Sequence, residues 1–353
     1  MSIRFHAKAL IEFTTGICIH FGMEEAPALD VAHILVEGDL LGHDTHGLQL
    51  LKPYIDALDR QVMRGSGEIN EIASRPAVAC WDGQYLPGPY LTLRAIESAT
   101  HMAQQYGTGS IAIRRSSHIG ALAAYLEKPS RSGYLIQIVC SDPSVAIVAP
   151  FGGSEPLLTP NPMAWGIPTS TDPIMIDISA SITTSGMSSR LHSEGRPGDH
   201  PWWLDANGQP TNNPSVVFDD PPGSLQALGG MEAGHKGFGL ALFVEAMSSA
   251  LAGHGREEGT AEWGASVHVQ VTDISAFGDA SAFHNQTDFL VEQCLQNKPA
   301  NPDKPVRIPG QRGLALKAEQ LNSGVALRTD IVSALTELAT QANISLPARS
   351  GNC

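Results

Sequence analysis

The sequence predicts an α/β protein in which helical segments at both ends of the chain flank a β-rich middle. Apolar residues recur at helical spacing over residues 10–58 and again over 331–342, as is typical of amphipathic helices. Short apolar runs broken by glycine and proline fill residues 77–178, a pattern typical of strands. With 353 residues, 42% of them hydrophobic, the chain can bury a large core in two or three domains.

Three helices are expected in the N-terminal segment, and the third bears on function. Its apolar positions begin at Leu48, and Gly42 ends the helix before it. Asp44 or Thr45 can cap the third helix, which would place His46 in its first turn. The positive end of the helix dipole would then lower the pKa of His46.

The β-rich middle also contains two expected helices, over residues 90–106 and 121–127. We expect strands over five stretches: 110–114, 134–140, 146–150, 163–168 and 174–178. A long irregular segment, 188–230, follows, and loops of this length in enzymes usually serve as lids or subunit contacts. Its Trp202-Trp203 pair is most simply read as packing or dimer surface. Helical spacing resumes over 236–253, alternating valines around Val269 predict one more strand, and a helix over 331–342 follows.

The charge balance argues against nucleic acid and membrane partners. The chain has 36 acidic and 22 basic residues, a formal net charge of −14 and a pI near 5.3, which disfavours binding to polyanions. Its five cysteines include no Cys-x-x-Cys pair, and the N-terminus begins no signal-peptide apolar run. We therefore expect a cytoplasmic protein that acts on a diffusible small molecule.

Three short stretches place a histidine or lysine among small residues, where a turn can present an ionisable side chain to a bound molecule. They are 42–47 (GHDTHG), 116–120 (SSHIG) and 233–239 (AGHKGFG). No Gly-x-Gly-x-x-Gly follows a strand and no Gly-x-x-x-x-Gly-Lys-Ser/Thr occurs, so a Rossmann or P-loop site is not indicated.

An ordered set of seven motifs resembles the type-2 malate/L-lactate dehydrogenase family over roughly residues 8–345. That family includes ureidoglycolate dehydrogenase, sulfolactate dehydrogenase, 2,3-diketogulonate reductase and the piperideine/pyrroline-2-carboxylate reductases. The motifs are 44–47 (DTHG), 117–120 (SHIG), 149–153 (APFGG), 161–162 (NP), 177–181 (DISAS), 204–211 (LDANGQPT) and 234–240 (GHKGFGL).

The resemblance implies a homodimeric oxidoreductase that uses NAD or NADP, with its site near the subunit interface. It implies a non-Rossmann NAD(P)-binding domain with a mostly antiparallel mixed sheet over 76–240, including the loop 188–230. A helical segment, 1–75, would pack with 240–353 to form a helical domain, and 241–353 would form a C-terminal α/β segment. No metal is implied.

The resemblance also assigns roles to single residues. His46 would be the acid that protonates the substrate oxygen or imine nitrogen, and Thr45 would orient it. The residues that would line the cofactor are His118, Ile119, Gly120, Ala121, Leu122, Asp177, Ile178, Ser179, His235, Lys236, Pro309 and Gly310.

Hydride transfer to a carbonyl leaves an alkoxide, so a proton donor with a pKa near working pH must lie within hydrogen-bond reach. His46 fits that task, but His118 could instead be the acid, with His46 positioning the substrate. Lys236 could meet a phosphate or carboxylate at a helix start, or could be a solvated lysine. Asp177 could bind a ribose or simply end a strand.

Departures from the family pattern bear on the substrate. The family commonly has a carboxylate-binding arginine where this chain has Leu50, and an isobutyl group cannot replace a guanidinium. Three further departures are Thr159-Pro160 before Asn161-Pro162, Met187 after Gly186, and Gln311 after Pro309-Gly310. We therefore expect Leu50, Thr159, Ser185, Gly186 and Met187 at the substrate. A bulkier or less charged 2-oxo acid or a cyclic imine is the expected substrate. The cations that could replace the missing arginine are Arg115, Arg190 and Arg312.

Two other classes of function compete with a dehydrogenase or imine reductase. His43, Asp44 and His46 could be ligands of a metal-dependent hydrolase, although their spacing matches no strong metal signature. The protein could also be a catalytically silent relative that acts in binding or assembly, since Leu50 and Met187 replace ionisable residues. Retention of Thr45, His46, His118 and Lys236 argues against an idle site.

Overall fold

A seven-stranded sheet and a cluster of helices from both ends of the chain make up the fold. The computed structural model describes residues 3–259 and 262–350. In this part of the chain the α-helices are α1 (Ala7–His20), α2 (Glu25–Leu40), α3 (Leu51–Asp59), α4 (Gly88–Tyr106), α5 (Glu127–Arg131), α6 (Ser185–Ser193), α7 (Gly230–Glu245), α8 (Ala280–Gln296), α9 (Gln311–Ser323) and α10 (Thr329–Ala342). The strands are β1 (Ile3–Phe5), β2 (Asn70–Arg75), β3 (Val78–Asp82), β4 (Thr108–Ser116), β5 (Tyr134–Ser141), β6 (Pro162–Ile167), β7 (Ile174–Ser179), β8 (Trp203–Leu204), β9 (Pro210–Thr211), β10 (Ser224–Leu225), β11 (Ala265–Asp273) and β12 (Val325–Leu327).

The large sheet is mixed and mostly antiparallel, as predicted. Its strand order is β2-β3-β4-β11-β5-β6-β7, and β3-β4 is its one parallel pair. A Rossmann sheet is parallel with helical crossovers, so the missing glycine fingerprint agrees with this topology. The strand β11 lies between β4 and β5, although it comes from the C-terminal part of the chain.

Alternation along the central strands gives the sheet two buried faces. In β5, Ile136 and Ile138 pack with Leu91 of α4 in one core cluster. Val139 points to the other face and packs with Val244 of α7 in a second cluster. Since successive strand residues face opposite sides, both faces of this strand are covered, which explains its nearly continuous apolar run.

The helical cluster joins the two ends of the chain. The short strands β1 and β12 pair antiparallel, and buried residues of α1, α2, α3 and α10 form one apolar core. Leu10, Leu35, Tyr54 and Leu335 are completely or almost completely buried there. This core holds α2 and α3 in place, and the connection between these two helices carries His46.

The expected helices of the N-terminal segment are confirmed as α1, α2 and α3, and residues 90–106 and 331–342 lie in α4 and α10. The strands expected over 110–114, 134–140, 163–168 and 174–178 are β4, β5, β6 and β7, and β11 contains Val269. Within the described residues, no helix is long and apolar enough to span a membrane.

Four local predictions are wrong. The third helix begins at Leu51, so His46 lies in a separate 3-10 turn, Asp44–His46, rather than in a capped first turn. Residues 146–150 form only single bridges through Val148. A 3-10 turn, Leu122–Tyr125, and the short α5 replace the helix expected over 121–127. Helix α7 begins at Gly230, six residues before Lys236, because the left-handed Gly229 starts it.

The segment 188–230 is more ordered than the sequence indicated. It contains most of α6, a 3-10 turn, Pro214–Phe218, and a small three-stranded sheet in the order β10-β8-β9. Trp203 is fully buried there, and its Nε1 donates a hydrogen bond to Ser188 Oγ at 3.0 Å. Trp203 therefore anchors this segment against α6, in agreement with a packing role.

Candidate active site

A cleft of about 800 Å³ opens at one edge of the large sheet. Strands β4, β5 and β7 end there, and β6 and β11 begin there, since neighbouring strands are antiparallel. The connection between α2 and α3 and the N-terminal part of α6 close the other side. The lining residues come from segments 42–46, 118–122, 140–147, 159–162, 177–179, 184–190 and 263–265, together with Phe218.

His46 is held in the cleft by a short, tightly packed turn. A Cβ added to Gly38 of α2 would lie 3.1 Å from the His46 carbonyl oxygen, so the turn lies directly on this helix. Behind it, the buried Asp39 carboxylate accepts a hydrogen bond from the Leu48 N–H at 2.8 Å. A Cβ on Gly47 would lie 2.4 Å from the Asp39 carboxyl carbon. Glycine is therefore required at position 47 by close approach rather than by flexibility.

The Thr45 hydroxyl lies 2.9 Å from His46 Nδ1. A hydroxyl can rotate, so it can donate to an unprotonated Nδ1 and accept from a protonated one. Both charge states of His46 therefore keep this hydrogen bond. His46 lines the cleft, and its Nε2 makes no hydrogen bond to residues 3–259 and 262–350, so it can exchange a proton with a ligand.

His118 is held in one neutral form. Its Nδ1 accepts a hydrogen bond from the Gly120 N–H at 3.2 Å, and the Tyr54 hydroxyl lies 3.0 Å from the same nitrogen. A backbone N–H can only donate, so this contact favours the neutral tautomer with its proton on Nε2, while the Tyr54 hydroxyl donates to the His118 carbonyl oxygen at 2.9 Å. Burial, with a smaller effect of His46, lowers the pKa of His118 to about 3. His118 therefore offers a fixed N–H donor and does not gain a second proton at neutral pH.

Three aromatic rings form a row along the cleft. The His46 and His118 centroids are 6.0 Å apart with the rings 25° from parallel, and the His118 and Trp263 centroids are 5.0 Å apart at 28°. Tyr54 and Trp263 also contact each other. Tyr54 and Trp263 were not found from the sequence, because neither lies near a histidine motif in the chain.

Burial lowers the pKa of His46 below its usual value. Asp177 and Asp44 oppose this shift, and His43 adds to it. The direction is as predicted, but the helix dipole is not the cause, because α3 begins after His46. The shift favours the neutral imidazole at neutral pH.

Asp177, at the end of β7, uses one oxygen to hold a neighbouring turn. Its Oδ2 accepts a hydrogen bond from the Ala123 N–H at 2.8 Å. Its other oxygen makes no hydrogen bond within residues 3–259 and 262–350. Asp177 shares the cleft wall with Ile178, Ser179 and the backbone of 119–122, so these predicted cofactor residues are brought together.

The start of α6 forms the wall beside Thr45. Thr184 caps the helix, its hydroxyl accepting the Met187 N–H at 3.1 Å. A Cβ built on Gly186 would lie 3.6 Å from Thr45 Cβ. Ser185, Gly186 and Met187 therefore line the cleft as predicted. Thr159 also lines it, but its hydroxyl is bonded to Asn161.

Five predicted site residues lie outside the cleft of the single chain. Leu50 is half-buried and packs against the helical cluster. His235 and Lys236 are exposed on α7, where His235 contacts Phe151 at 5.8 Å between centroids. Pro309 accepts a hydrogen bond from Met175 of β7 and precedes Gly310, which starts α9. The predicted cofactor residues therefore form one group in the cleft and two groups outside it.

The structure also separates the three arginines proposed as replacements for the missing one. Arg115 binds the buried Asp82 carboxylate, together with Arg114. Arg312 is exposed at the start of α9 and does not line the cleft. Arg190, on α6, does line it. The sequence analysis named this residue but could not place it.

One further polar group on the wall was not found from the sequence. Asp142, just after β5, accepts hydrogen bonds from Ser144 through Oδ1, whereas its buried Oδ2 has no hydrogen-bond partner among the described residues. Burial raises the pKa of this carboxyl. Asp142 thus offers an acceptor, or when protonated a donor, to a bound molecule. Among the described residues no three potential ligands are grouped to hold a metal, and His43, Asp44 and His46 form no such set.

Comparisons with known proteins agree with the motif order. Residues 5–336 match the family model described as malate/L-lactate dehydrogenase. The chain is 28% identical to a malate dehydrogenase from Pyrococcus horikoshii over 351 residues, which cover 97% of this chain and 96% of that protein. It is 28% identical to hydroxycarboxylate dehydrogenase B from Escherichia coli O157:H7, covering 96% and 94%.

A solved structure has the same fold as this chain. The crystal structure of malate dehydrogenase from Entamoeba histolytica superposes with a TM-score of 0.92 at 24% identity, covering 99% of this chain and 100% of that one. The family match covers nearly the whole chain and confirms the resemblance inferred from its seven motifs. The chain therefore belongs to the malate/L-lactate dehydrogenase family, whose members are oxidoreductases that use a nicotinamide cofactor.

Proposed function

We propose that the protein interconverts a 2-oxo acid and the matching 2-hydroxy acid, with His46 exchanging the proton on the C2 oxygen. One observation carries the proposal: of His46 and His118, whose rings lie side by side in the cleft, His46 has a partner that serves both of its charge states. His118 has a backbone donor on Nδ1 that serves only the neutral state. General acid–base catalysis needs a group that can change charge. His46 meets this requirement and His118 does not.

His118 then has a positioning function. Its Nε2–H points from a ring enclosed by Tyr54, Trp263 and Gly120. A fixed donor of this kind can hold the substrate oxygen at hydrogen-bond distance while His46 supplies the proton. The neutral ring also avoids a second positive charge beside His46, which would further lower the pKa of the acid.

The residues of the cleft fit a nicotinamide cofactor. Asp177 has a carboxylate oxygen that makes no hydrogen bond among the described residues and can accept from a ribose hydroxyl, and residues 119–122 line the same wall. The Ser179 hydroxyl already bonds to the Ser181 carbonyl, so it can only accept from a ligand. When bound, the nicotinamide supplies the hydride to the substrate carbon or accepts it in the reverse direction.

We also propose that the protein acts as a homodimer. Helix α7 and the turn after it expose four large apolar side chains, each between 42% and 55% accessible: Met231, Leu242, Phe243 and Leu251. An exposed apolar set of this kind marks an interaction surface. His235 and Lys236 lie on the same helix, so pairing through α7 would bring them to the interface. Mass measurement in solution at low protein concentration tests this, and a monomer would refute it.

Absorbance of the reduced nicotinamide, followed with both cofactors over a panel of 2-oxo acids and cyclic imino acids, tests the activity. We expect turnover of a 2-oxo acid by the wild type and at least a 100-fold loss in His46→Gln, in line with general acid catalysis. Absence of turnover on the whole panel would refute the proposal and favour the silent relative. Full activity in His46→Gln would refute the assigned donor.

A cyclic imino acid is the second candidate substrate, and Asp142 favours it. Its buried, unpartnered Oδ2 suits the N–H of an iminium group better than the oxygen of a ketone. Asp142→Asn would then lower kcat/KM for piperideine-2-carboxylate much more than for a 2-oxo acid. An equal change for both substrates would remove this support.

A further inference from the structure

We propose that Arg190 is the group that binds the substrate carboxylate, and so determines specificity for an acid. The inference rests on the proposed function of the same cleft. In this proposal a residue of α6 binds the carboxylate that an arginine at position 50 would otherwise bind.

The guanidinium of Arg190 lacks an anionic partner. Its Nε is buried without a hydrogen-bond partner, and one terminal nitrogen lies 3.4 Å from Met187 Sδ. A thioether is a weak acceptor. No carboxylate pairs with this side chain anywhere in residues 3–259 and 262–350. Arg190 is half-buried and its Nε is fully buried, so an anion bound in the cleft would satisfy a donor that the described residues leave unpaired.

Three other partly exposed arginines each have a carboxylate partner. Arg115 and Arg114 share Asp82, and Arg256 binds Glu245. Arg190 is also the one lysine or arginine among the described residues of the cleft wall. Since Asp44, Asp142 and Asp177 line the same wall, the local field opposes an anion except near Arg190.

The first turn of α6 adds to this positive region. Gly186 lies four residues before Arg190, so the two share one face of the helix. The N–H groups of Ser185 and Gly186 make no hydrogen bond within the described part of the chain. Unpaired N–H groups at a helix N-terminus favour a carboxylate.

This placement also orients the substrate. Gly186 lies beside Thr45, which holds His46. A carboxylate bound to α6 and Arg190 would therefore be on the Thr45 side, with the adjacent C2 oxygen directed toward His46. Leu50, in the helical cluster, has no part in the contact.

The test compares an acid with its uncharged ester. In Arg190→Gln we expect kcat/KM for pyruvate, or for the best 2-oxo acid of the panel, to fall about 10- to 100-fold, mainly through KM. The methyl ester of that acid should change less than about twofold. Arg312→Gln, at an exposed position outside the cleft, is the matched control and should leave both unchanged. Equal losses for acid and ester, or no loss for the acid, would overturn the proposal.

Binding distinguishes failure of this inference from failure of the proposed function. Calorimetry with oxamate, an unreactive 2-oxo acid analogue, in the presence of NADH or NADPH requires no turnover. We expect wild type and Arg312→Gln to bind oxamate and Arg190→Gln to bind it at least 10-fold more weakly. An enzyme without turnover that still shows this difference refutes only the proposed reaction. Equal affinity in all three proteins, or no binding by the wild type, refutes the proposal that Arg190 binds the carboxylate.

Discussion

Substitution of Gly47 by alanine tests how the turn that carries His46 is held. The added Cβ would lie 2.4 Å from both Cγ and Oδ1 of Asp39 and 2.6 Å from Oδ2. These distances are too short for any Cβ contact, and Asp39 is only 5% exposed. The carboxyl must therefore move, and its hydrogen bond with the Leu48 N–H must break.

The expected cost follows from these two effects. Overpacking of a close-packed interior costs roughly 1–3 kcal/mol, and a lost buried hydrogen bond costs about 1 kcal/mol. We expect Gly47→Ala to reduce the free energy of unfolding by about 3 kcal/mol. Since His46 is the preceding residue, a shift of the turn should also lower kcat, because small displacements of a catalytic group are costly.

A double-mutant cycle with Asp39→Ala isolates the clash. Asp39→Ala alone leaves the Leu48 N–H unsatisfied, at about 1–3 kcal/mol, but it also removes the atoms that the new Cβ would meet. The double variant should therefore be more stable than the sum of the single losses predicts, by roughly 1–3 kcal/mol. Urea unfolding of all four proteins measures this coupling.

The matched control is Gly239→Ala in α7, where an added Cβ meets no atom within 4 Å. Alanine in a helix is favoured over glycine by roughly 0.5–1 kcal/mol, so this variant should be as stable as the wild type or slightly more stable. Additive losses at positions 39 and 47, or a Gly47→Ala protein as stable as the wild type, would refute the close packing described for this turn.

Three further predictions concern single groups. Thr45→Val removes the partner of His46 Nδ1 and should lower kcat about 10-fold with little change in KM, measured by steady-state kinetics; an unchanged kcat would contradict the role of Thr45. Asp177 raises the pKa of His46, so Asp177→Asn should move the alkaline decline of reduction to lower pH; a move to higher pH would contradict this. Burial lowers the pKa of His268 to about 4, whereas the unfolded chain binds that proton near about pH 6.5. The contribution of neutral His268 to folding stability is therefore complete above about pH 6.5. About 3 kcal/mol of it is lost as the pH falls toward the pKa of His268 in the folded protein. In His268→Gln the free energy of unfolding, measured with urea, should depend less on pH between about 4 and 6.5. An unchanged pH dependence would contradict the assignment.

Much of the cleft could be predicted because its residues follow short, periodic elements. His118 comes just after β4 and Asp177 lies near the end of β7, and the local pattern indicates both strands; helix α6 was not predicted. Antiparallel pairing then brings the ends of β4, β5 and β7 to one edge. The sequence motifs therefore identify many of the cleft residues, and the strand order of the sheet explains why they lie close together.

The remaining features depend on contacts between distant parts of the chain. Nothing in the local sequence indicates that β11 lies between β4 and β5, or that Trp263 just before it stacks on His118. The third helix begins later than its apolar spacing suggests because Gly47 must pack on Asp39. Leu50 was predicted to contact the substrate from its position in the family pattern, but its side chain packs against the helical cluster.

The pH dependence of the reduction rate tests most directly which histidine exchanges the proton. For the wild type, kcat/KM for the best 2-oxo acid should fall about tenfold per pH unit above a pKa lower than the usual value for histidine. His118→Gln, which keeps a side-chain N–H donor, should be slower but should retain this decline, whereas His46→Gln should lose both the decline and most of the rate. A decline that survives in His46→Gln and disappears in His118→Gln would contradict the account.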